Sequence, residues 1–531
     1  MRARLLTLSL LAVPAVVCAW RVARRRRMAR RRPHAADQSQ SATTLDPMDR
    51  ESWELLRASA HRLLDAAINR LQAAKEGRVW TPVPESTKRS LCAPLPHSGL
   101  AYGELCSRLE ALMPYGVGNT HPRFFGWVHG SGSPGGVLAE IVAAAMNANC
   151  GGREHAAIHV EKQVLAWVRA IMGFPSSCGA LLTSGTSMAT VIALKAARDQ
   201  RLGFEQSRTS GVAHAQVQCG PLVGYVAEGG HSCIKRAFDL LGIGTAQLRV
   251  VPVKADFCMD LRALRRMVEL DRQSGLTPFV VIGTAGSVNV GAVDDLCGIA
   301  DIAQDNHLWF HVDGAFGAAA ILSVDARPLL RGLSRASSLA FDFHKWLHVN
   351  YDCGCVLVRD HEAHIRAFSE RPDYLAASER GIAAGSPWPV DYGPELSRGF
   401  RALKVWAHMQ EHGVDKLGAA ISENMFHARY LAEKIDAAPE LQRLAPVTLQ
   451  IVVFRYVAAK GLDLDELNET LVVELQERGI AAPSTTRING LLSIRVNITN
   501  HRTRIEDLDL LVTEVRSIGA ELATSRVGKT V

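Results

Sequence analysis

The middle of the chain, from about residue 180 to residue 342, alternates short apolar runs with longer amphipathic segments. Each apolar run leads into small or polar residues and then into a stretch with the 3.6-residue spacing of a helix. Near-continuous apolar strands are typical of a parallel sheet that is buried on both faces. The pattern predicts an α/β fold with a mainly parallel central sheet, whose strands include ALLT, GYVA, LRVVPV, FVVIGT, LWFHVD and SLAF.

The segments on either side of this region have other patterns. Helical spacing at 49–74 and 100–113 predicts two helices of an arm that is too short to fold alone. From Glu395 onward, long helices are followed by a strand, a helix and a second strand, which predicts a smaller α+β unit. We therefore expect four parts: an N-terminal extension (1–47), a helical arm (48–130), a large α/β domain (131–394) and a small α+β domain (395–531).

The extension is set apart by its composition. An apolar run at 5–20 precedes the arginine-rich stretch RVARRRRMARRRP. The run is shorter than the ~20 residues that a membrane span prefers, and the positive charge behind it favours a cytoplasmic location for the rest of the chain. Three interpretations fit: a signal anchor, a cleaved targeting segment, and an extension outside the working protein. Contact with a membrane is expected only if the extension is retained, and 1–47 is excluded from the fold prediction.

Charge and cysteine content exclude other function classes. The net charge of +7 arises at the start of the chain, where the first forty residues contain ten arginines and one acid. The rest is nearly neutral, so a nucleic-acid partner is not predicted. The eleven cysteines are scattered apart from Cys353 and Cys355. Without a second pair or a histidine cluster, they predict free thiols in a reducing compartment and no metal site.

Two side chains of opposite charge lie near the ends of neighbouring predicted strands. Asp313 ends LWFHVD, and Lys345 comes after the next strand in the pair His344-Lys345. Such a lysine can hold an aldehyde cofactor as a Schiff base, and such a carboxylate can keep a pyridinium nitrogen protonated. The alternatives are a lysine stem that reaches the surface and an aspartate that caps a helix. The small Ala315 would let a flat ring lie close to the strand.

Polar residues also come directly after the other predicted strands. Ser184-Gly185 begins SGTSMAT, whose N–H groups at a helix start suit a phosphate, although any helix cap looks similar. His231 comes after Gly229-Gly230, and Thr284 ends FVVIGT. Ligands of parallel α/β sheets lie beyond the carboxyl ends of the strands, so these residues should border one site. The sequence has neither a Walker loop nor G-x-G-x-x-G at this position, so nucleotide binding is not predicted.

Seven motifs occur in the order and spacing of one family: HPRFF, SGTSMAT, EGGHSCIKRA, GTAGSVNVGAVDDL, HVDGAFG, FDFHKWLHVNYDCG and RGFRALKVW. Over about residues 48–515 the chain resembles the pyridoxal-phosphate-dependent group II amino-acid decarboxylases, which include the aromatic-L-amino-acid and glutamate decarboxylases. The resemblance implies pyridoxal 5′-phosphate as cofactor and the PLP-dependent transferase fold (aspartate aminotransferase-like, fold type I). It also implies a homodimer with the active site at the subunit interface.

The same resemblance assigns roles to individual residues. Lys345 would be the Schiff-base lysine and Asp313 the partner of the pyridinium nitrogen, with His231 stacked on the ring and Ala315 against it. Asp342 stands where many relatives have asparagine, which is a departure from the family pattern at the phosphate. The remaining implied cofactor contacts are Gly185, Thr186, Thr284, Ala285 and His344.

Tyr374 lies in the motif PDYL, which resembles the mobile loop of the family. The resemblance implies that Tyr374 donates a proton to the α-carbon of the substrate. Phenylalanine at this position accompanies aldehyde-forming oxidative activity in the family, so tyrosine favours plain decarboxylation. The polar, glycine-rich surroundings suit a lid, and the alternative is a solvated loop tyrosine.

The substrate depends on the loop after HPRFF. In relatives that act on aromatic amino acids this loop walls the side-chain pocket, which here implies Phe124, Phe125 and Trp127. Val128 and His129 depart from that pattern, as does Asn119 upstream. An aromatic or related L-amino acid is favoured over an acidic or diamino one. The open alternatives are another carbon–carbon or carbon–sulfur lyase on the same fold, and a non-catalytic interaction protein.

Overall fold

The apolar runs form one seven-stranded sheet in the computed structural model, which describes residues 44–370, 378–457 and 461–527. Its strands lie in the order β1-β7-β6-β5-β4-β2-β3. Neighbours from β6 to β3 are parallel, whereas β7 is antiparallel to both β6 and β1. The predicted α/β fold with a mainly parallel sheet is confirmed. The strand bounds are β1 (Gly179–Thr183), β2 (Leu222–Ala227), β3 (Leu248–Val251), β4 (Thr277–Thr284), β5 (Trp309–Asp313), β6 (Ser338–Asp342) and β7 (Gly354–Val358).

Both faces of this sheet are buried, which explains why its strands are apolar throughout. In β4, Val281 packs in the core on one face, and Val280 and Ile282 pack in the core on the other. Successive side chains of a strand point to opposite faces, so each face needs apolar residues of its own.

Helices cover the two faces and carry the N-terminal arm. Several begin at an aspartate that caps the helix; Asp260, for example, accepts hydrogen bonds from the N–H groups of Arg262 and Ala263, as is typical of this position. The helices up to residue 370 are α1 (Arg50–Gln72), α2 (Glu85–Leu91), α3 (Tyr102–Glu110), α4 (Pro134–Met146), α5 (Ala156–Met172), α6 (Thr186–Leu202), α7 (Phe204–Ser210), α8 (Val212–Ala215), α9 (Ser232–Leu240), α10 (Leu261–Gln273), α11 (Leu296–Asp305) and α12 (His361–Phe368).

The C-terminal part forms a second, antiparallel sheet in the order β10-β11-β9-β8. The long helix that leads into it breaks at Gly413, whose φ of +68° is outside the helical range. This sheet has its own apolar core with the helices around it. The elements are α13 (Arg401–Asp436), β8 (Leu441–Arg443), β9 (Ile451–Tyr456), α14 (Leu464–Glu477), β10 (Ser484–Ile488), β11 (Leu491–Asn497) and α15 (Ile505–Val527).

Three further observations concern the described residues. All ten cysteines among them are free. Within the same ranges, no group of three or more His, Cys, Asp or Glu side chains is arranged to hold a metal ion. None of the helices in the described part of the chain combines the length and apolar character that a membrane crossing requires.

Candidate active site

The carboxyl ends of β4, β5 and β6 meet at one edge of the large sheet. Thr284 pairs with Asp313, and Asp313 pairs with Ala340, so the last residues of β4 and β5 lie side by side. β6 ends at Asp342, and the chain then turns through His344 and Lys345. This register brings residues that are far apart in sequence to the edge where parallel sheets bind their ligands.

Asp313 is a buried carboxylate with an incomplete set of partners. Its Oδ1 accepts a hydrogen bond from the N–H of Ala315 at 3.1 Å. Burial raises the pKa of the Asp313 carboxyl, although the positive charge of Lys345 opposes that shift. Its Oδ2 has no hydrogen-bond or ion-pair partner among the described residues. A buried carboxylate of this kind is stabilised by a cationic donor, such as a protonated ring nitrogen.

Asp342 connects Lys345 to the start of α6. Its Oδ2 lies 3.0 Å from Nζ of Lys345. Its Oδ1 accepts a hydrogen bond from the N–H of Thr186 at 2.6 Å. The third neighbour is His344, whose Nε2 lies 3.7 Å from the same carboxylate. The site therefore contains two buried carboxylates, Asp313 and Asp342, and one lysine amine.

The turn before α6 forms a narrow cup. Gly185 precedes the first helical residue, Thr186. The backbone of Gly354 approaches so closely that a Cβ on it would lie 2.6 Å from the Cα of Gly185. In the described part of the chain, the hydroxyl of Thr186 is buried and has no hydrogen-bond partner, and the same holds for Thr284 at the end of β4. Free N–H groups and a hydroxyl at a helix start suit a phosphate.

His231 and His344 are held by hydrogen bonds from the backbone. Nδ1 of His231, the residue before α9, accepts from the N–H of Cys233 at 3.2 Å. Nδ1 of His344 accepts from the N–H of Cys353 at 3.0 Å. Burial lowers the pKa of both imidazoles, against the opposing carboxylates of Asp313 and Asp342 respectively. Both rings therefore have a fixed tautomer, in which Nδ1 accepts and Nε2 carries the proton.

A cavity of about 260 Å³ opens between these strand ends and the loop after HPRFF. Six residues predicted from the sequence line it: Trp127, His231, Thr284, Asp313, Ala315 and Lys345. Four residues predicted to bind the phosphate are outside this lining: Gly185, Thr186, His344 and Asp342. Asp342 connects them to the cavity, because it contacts both the N–H of Thr186 and the amine of Lys345. Ala285 comes directly after Thr284 and is fully buried.

Of the three predicted substrate-pocket residues, the two phenylalanines lie outside the cavity lining. Phe125 is fully buried in the core of the second sheet, because its backbone pairs with Ala482 and turns the ring away from the cavity. Phe124 packs behind the wall, with its ring centroid 6.1 Å from that of Trp127. Phe125 is therefore wrong as a pocket residue, and Phe124 supports the wall from behind. Tyr374 lies outside the described residues.

The cavity also has walls that the sequence did not assign to this site. They are Gly229, Gly286, Val288, Phe316 and Tyr351. Val128 and His129, the loop residues that depart from the family pattern, also line the cavity. The ring of Tyr351 lies 4.4 Å from that of His344, between centroids. Its place six residues after Lys345 on the same turn is a signal that could have identified it.

Arg495 of β11 holds two of these walls together from behind. Its Nη1 donates to the carbonyl of Trp127 at 2.9 Å, and its Nε donates to the carbonyl of Val288 at 2.8 Å. The guanidinium is buried and forms no ion pair with any residue of the described ranges. Burial accordingly lowers the pKa of Arg495 to about 10. A cation of the second sheet thus fixes the position of the substrate-side loops.

The residues present fit pyridoxal 5′-phosphate. The unpartnered oxygen of Asp313 faces a cavity that is bordered by His231 and Ala315, which suits a flat ring with a protonated nitrogen. Lys345 lines the same cavity, and its amine suits the aldehyde of the cofactor. The unpartnered hydroxyl of Thr186 and the helix start behind it suit the phosphate. The one feature that opposes an anion is the carboxylate of Asp342 beside that helix start.

Comparisons with known proteins agree with this geometry. The family model described as "Pyridoxal-dependent decarboxylase conserved domain" matches residues 84–457. An aromatic-L-amino-acid decarboxylase of Bacillus atrophaeus is 31% identical over 490 residues, covering 89% of this chain and 97% of that protein. Tyrosine decarboxylase 1 of Narcissus pseudonarcissus is 29% identical over 451 residues, covering 81% of this chain and 84% of that protein.

A solved structure shares the fold. Catharanthus roseus tryptophan decarboxylase in complex with L-tryptophan superposes with a TM-score of 0.78 at 23% sequence identity, and the match covers 90% of this chain and 100% of that one.

Proposed function

The chain belongs to the pyridoxal-dependent decarboxylase family, and we propose that it converts an aromatic L-amino acid to the corresponding amine and CO₂. It is a pyridoxal-phosphate-dependent carboxy-lyase, and the choice of substrate is the part that we propose. The observation that carries this choice is the wall of the cavity, which includes four aromatic rings. Those rings belong to Trp127, His129, Phe316 and Tyr351.

The charges in the cavity weigh against the other substrate classes. Apart from Lys345 and Asp313, no Lys, Arg, Asp or Glu of the described residues lines it. The acidic side chain of a substrate would be transferred from water into a site without a free cation. The amino side chain of a diamino acid would be transferred into a site without a free carboxylate. The free energy of either transfer is unfavourable by roughly several kcal/mol, whereas the burial of an aromatic ring is favourable.

We assign the chemistry to the residues at the strand ends. The cofactor, when bound, supplies an electron sink for the pair of electrons that CO₂ leaves behind. Lys345 would hold it covalently and give way to the amine of the substrate. Asp313 would keep the ring nitrogen protonated, with His231 and Ala315 on its two faces. The phosphate and ring-edge contacts that we propose are Gly185, Thr186, Thr284, Ala285, Asp342 and His344.

Tyr374 is the residue that we propose as proton donor to the α-carbon of the substrate. The proposal rests on the PDYL motif alone, because residues 371–377 are outside the described ranges. A tyrosine hydroxyl can deliver a proton where phenylalanine cannot, so plain decarboxylation is favoured over aldehyde formation.

Assembly, domain division and location are further parts of the proposal. We propose a homodimer, supported by large apolar side chains that are exposed on the arm, such as Trp53 and Leu55 on α1 and Leu105 and Leu109 on α3. We propose the divisions 48–130, 131–394 and 395–531 for the arm and the two domains. A cytoplasmic location rests on the arginine-rich flank of the apolar run.

The decisive experiment is a CO₂-release screen of the common L-amino acids with pyridoxal phosphate. The wild-type protein should release CO₂ from aromatic amino acids, and Lys345→Ala should release none and lack the visible absorbance of a lysine-bound cofactor. Lys416→Ala, an exposed lysine of α13, is the matched control. Release from glutamate or lysine alone would favour the acidic or diamino alternative. Turnover without CO₂ would indicate another lyase.

A third result would refute the enzyme altogether. If the wild-type protein showed neither cofactor absorbance nor turnover, only a non-catalytic role would remain.

A further inference from the structure

His129 is a titratable residue of the cavity for which the proposed chemistry has no use. Its ring stacks on Phe124 at 5.7 Å and 18°, and on Trp127 at 5.7 Å and 26°, between centroids and ring planes. The ring of Tyr351 meets it edge-on at 5.9 Å. The imidazole is therefore fixed inside an aromatic wall and is one of the few polar groups in it.

The backbone next to His129 is docked on the turn that carries Lys345. The N–H of Gly130 donates to the carbonyl of His344 at 3.1 Å. A Cβ on Gly130 would lie 2.4 Å from the carbonyl oxygens of both His344 and Lys345, so only glycine permits this approach. On its other side, the carbonyl of His129 accepts from Oγ1 of Thr499 at 3.1 Å. His129 is thus held at a fixed distance from the reacting lysine.

The two nitrogens of His129 are left without partners. Nδ1 is enclosed by protein and has no hydrogen-bond partner in the described chain. Nε2 likewise forms no hydrogen bond to a described residue. Burial lowers the pKa of His129, as does the neighbouring positive charge of Lys345. The ring is therefore neutral at physiological pH and presents a donor or an acceptor, but no charge, to a ligand.

We propose that His129 is a specificity-determining residue that hydrogen-bonds a hydroxyl group on the aromatic ring of the substrate. The inference rests on the proposed function, because it names which aromatic amino acids the same site prefers. A hydroxyl both donates and accepts, so it pairs with Nε2 of His129 in either tautomer. An indole N–H can only donate, and an unsubstituted phenyl ring can do neither. A ring hydroxyl is therefore the substituent that this wall accommodates best.

The test compares L-tyrosine with L-phenylalanine, which differ by one hydroxyl. In His129→Phe the stacking ring remains and the hydrogen bond is lost. We expect the ratio of kcat/KM for tyrosine to that for phenylalanine to fall by about 3- to 10-fold, as for one net hydrogen bond. His129→Gln keeps a donor and an acceptor and should retain most of the ratio. His214→Phe, an exposed histidine of α8, should leave the ratio unchanged.

The outcomes separate the two proposals. If the wild-type protein decarboxylates no aromatic amino acid, the proposed function fails and the inference falls with it. If it does, and the ratio is the same in His129→Phe as in the wild type, only the inference is wrong. Should His129→Phe not fold, wild-type binding of the amine products decides. Tyramine should then bind about 3- to 10-fold more tightly than phenethylamine, and equal affinities would overturn the inference.

Discussion

Replacing Glu161 by alanine should strongly destabilise the protein, because it leaves a buried cation without its partner. Glu161 of α5 forms a bidentate ion pair with Arg398, at 2.7 Å to Nη2 and 3.1 Å to Nη1. The same guanidinium donates to the carbonyls of Cys150 and Leu182, at 2.8 Å and 2.7 Å. The side chains of Arg398 and Glu161 are 1% and 4% exposed, so solvent screens the pair little.

The size of the effect is set by that burial. Burial lowers the pKa of Arg398, but the negative charge of Glu161 and the hydrogen bonds to it raise that pKa by a larger amount. The net shift is therefore upward. Removing one member of a buried pair typically destabilises a protein by about 3–5 kcal/mol. Glu161→Gln, which keeps hydrogen bonding without the charge, should lie between the wild type and Glu161→Ala.

Denaturant unfolding measures the effect. Fluorescence and circular dichroism should be recorded together, since a chain with two core regions need not unfold in one step. Glu521→Ala, which removes an exposed partner of Arg478, is the matched control and should change stability little. The double variant Glu161→Leu/Arg398→Met should be more stable than Glu161→Ala, because it removes both charges.

Two results would refute this reasoning. One is a loss of less than about 1 kcal/mol in Glu161→Ala, which would mean that the cation is not desolvated. The other is a double variant whose loss of stability equals the sum of the losses in Glu161→Leu and Arg398→Met measured singly, since the effects of partners in contact should not be additive.

Three further predictions concern the site and the pH response. Asp342→Asn removes a carboxylate from the helix start and should lower the dissociation constant for pyridoxal phosphate by about 10-fold, measured by titration of the apoprotein; weaker binding would contradict it. Asp313→Asn should fold normally yet lower kcat at least about 100-fold in the CO₂ assay. Burial lowers the pKa of His408 to about 3 and of His501 to about 4, so the unfolded chain takes up protons first. The contribution of these two histidines to the free energy of unfolding should therefore be complete above about pH 7 and fall as the pH drops from about 6.5 towards 4. Unfolding midpoints that respond to acidification in the same way when both histidines are replaced by glutamine would disagree.

The strand ends could be predicted because their signals are local. A continuous apolar run that ends in a hydroxyl, a glycine or a charge marks the carboxyl end of a buried strand, and this signal identifies Asp313 and Thr284. Their pairing in register is then a consequence of the parallel arrangement. Lys345 could be predicted for the same reason, since it lies directly after β6.

Features that depend on distant contacts could not be predicted in this way. The position of β7 between β1 and β6, antiparallel to both, leaves no mark on a single strand's sequence. Phe124 and Phe125 are neighbours, and only the elements packed around them decide that Phe125 enters the core of the second sheet while Phe124 lies beside Trp127. Tyr351 lies six residues after Lys345, so its nearness in sequence could have indicated a place near the site, but tertiary packing decides that its ring lines the cavity.

Arg495 has a consequence for attempts to change the substrate range of this enzyme. One guanidinium of the second sheet fastens the carbonyls of Trp127 and Val288, which are 161 residues apart in the chain and belong to different loops. A mutant library confined to side chains that touch the cavity would leave these two hydrogen bonds of Arg495 intact. The backbone segments at Trp127 and Val288 would therefore keep their separation. Moving the two backbone segments apart therefore requires substitutions on β11, which lies behind the cavity wall.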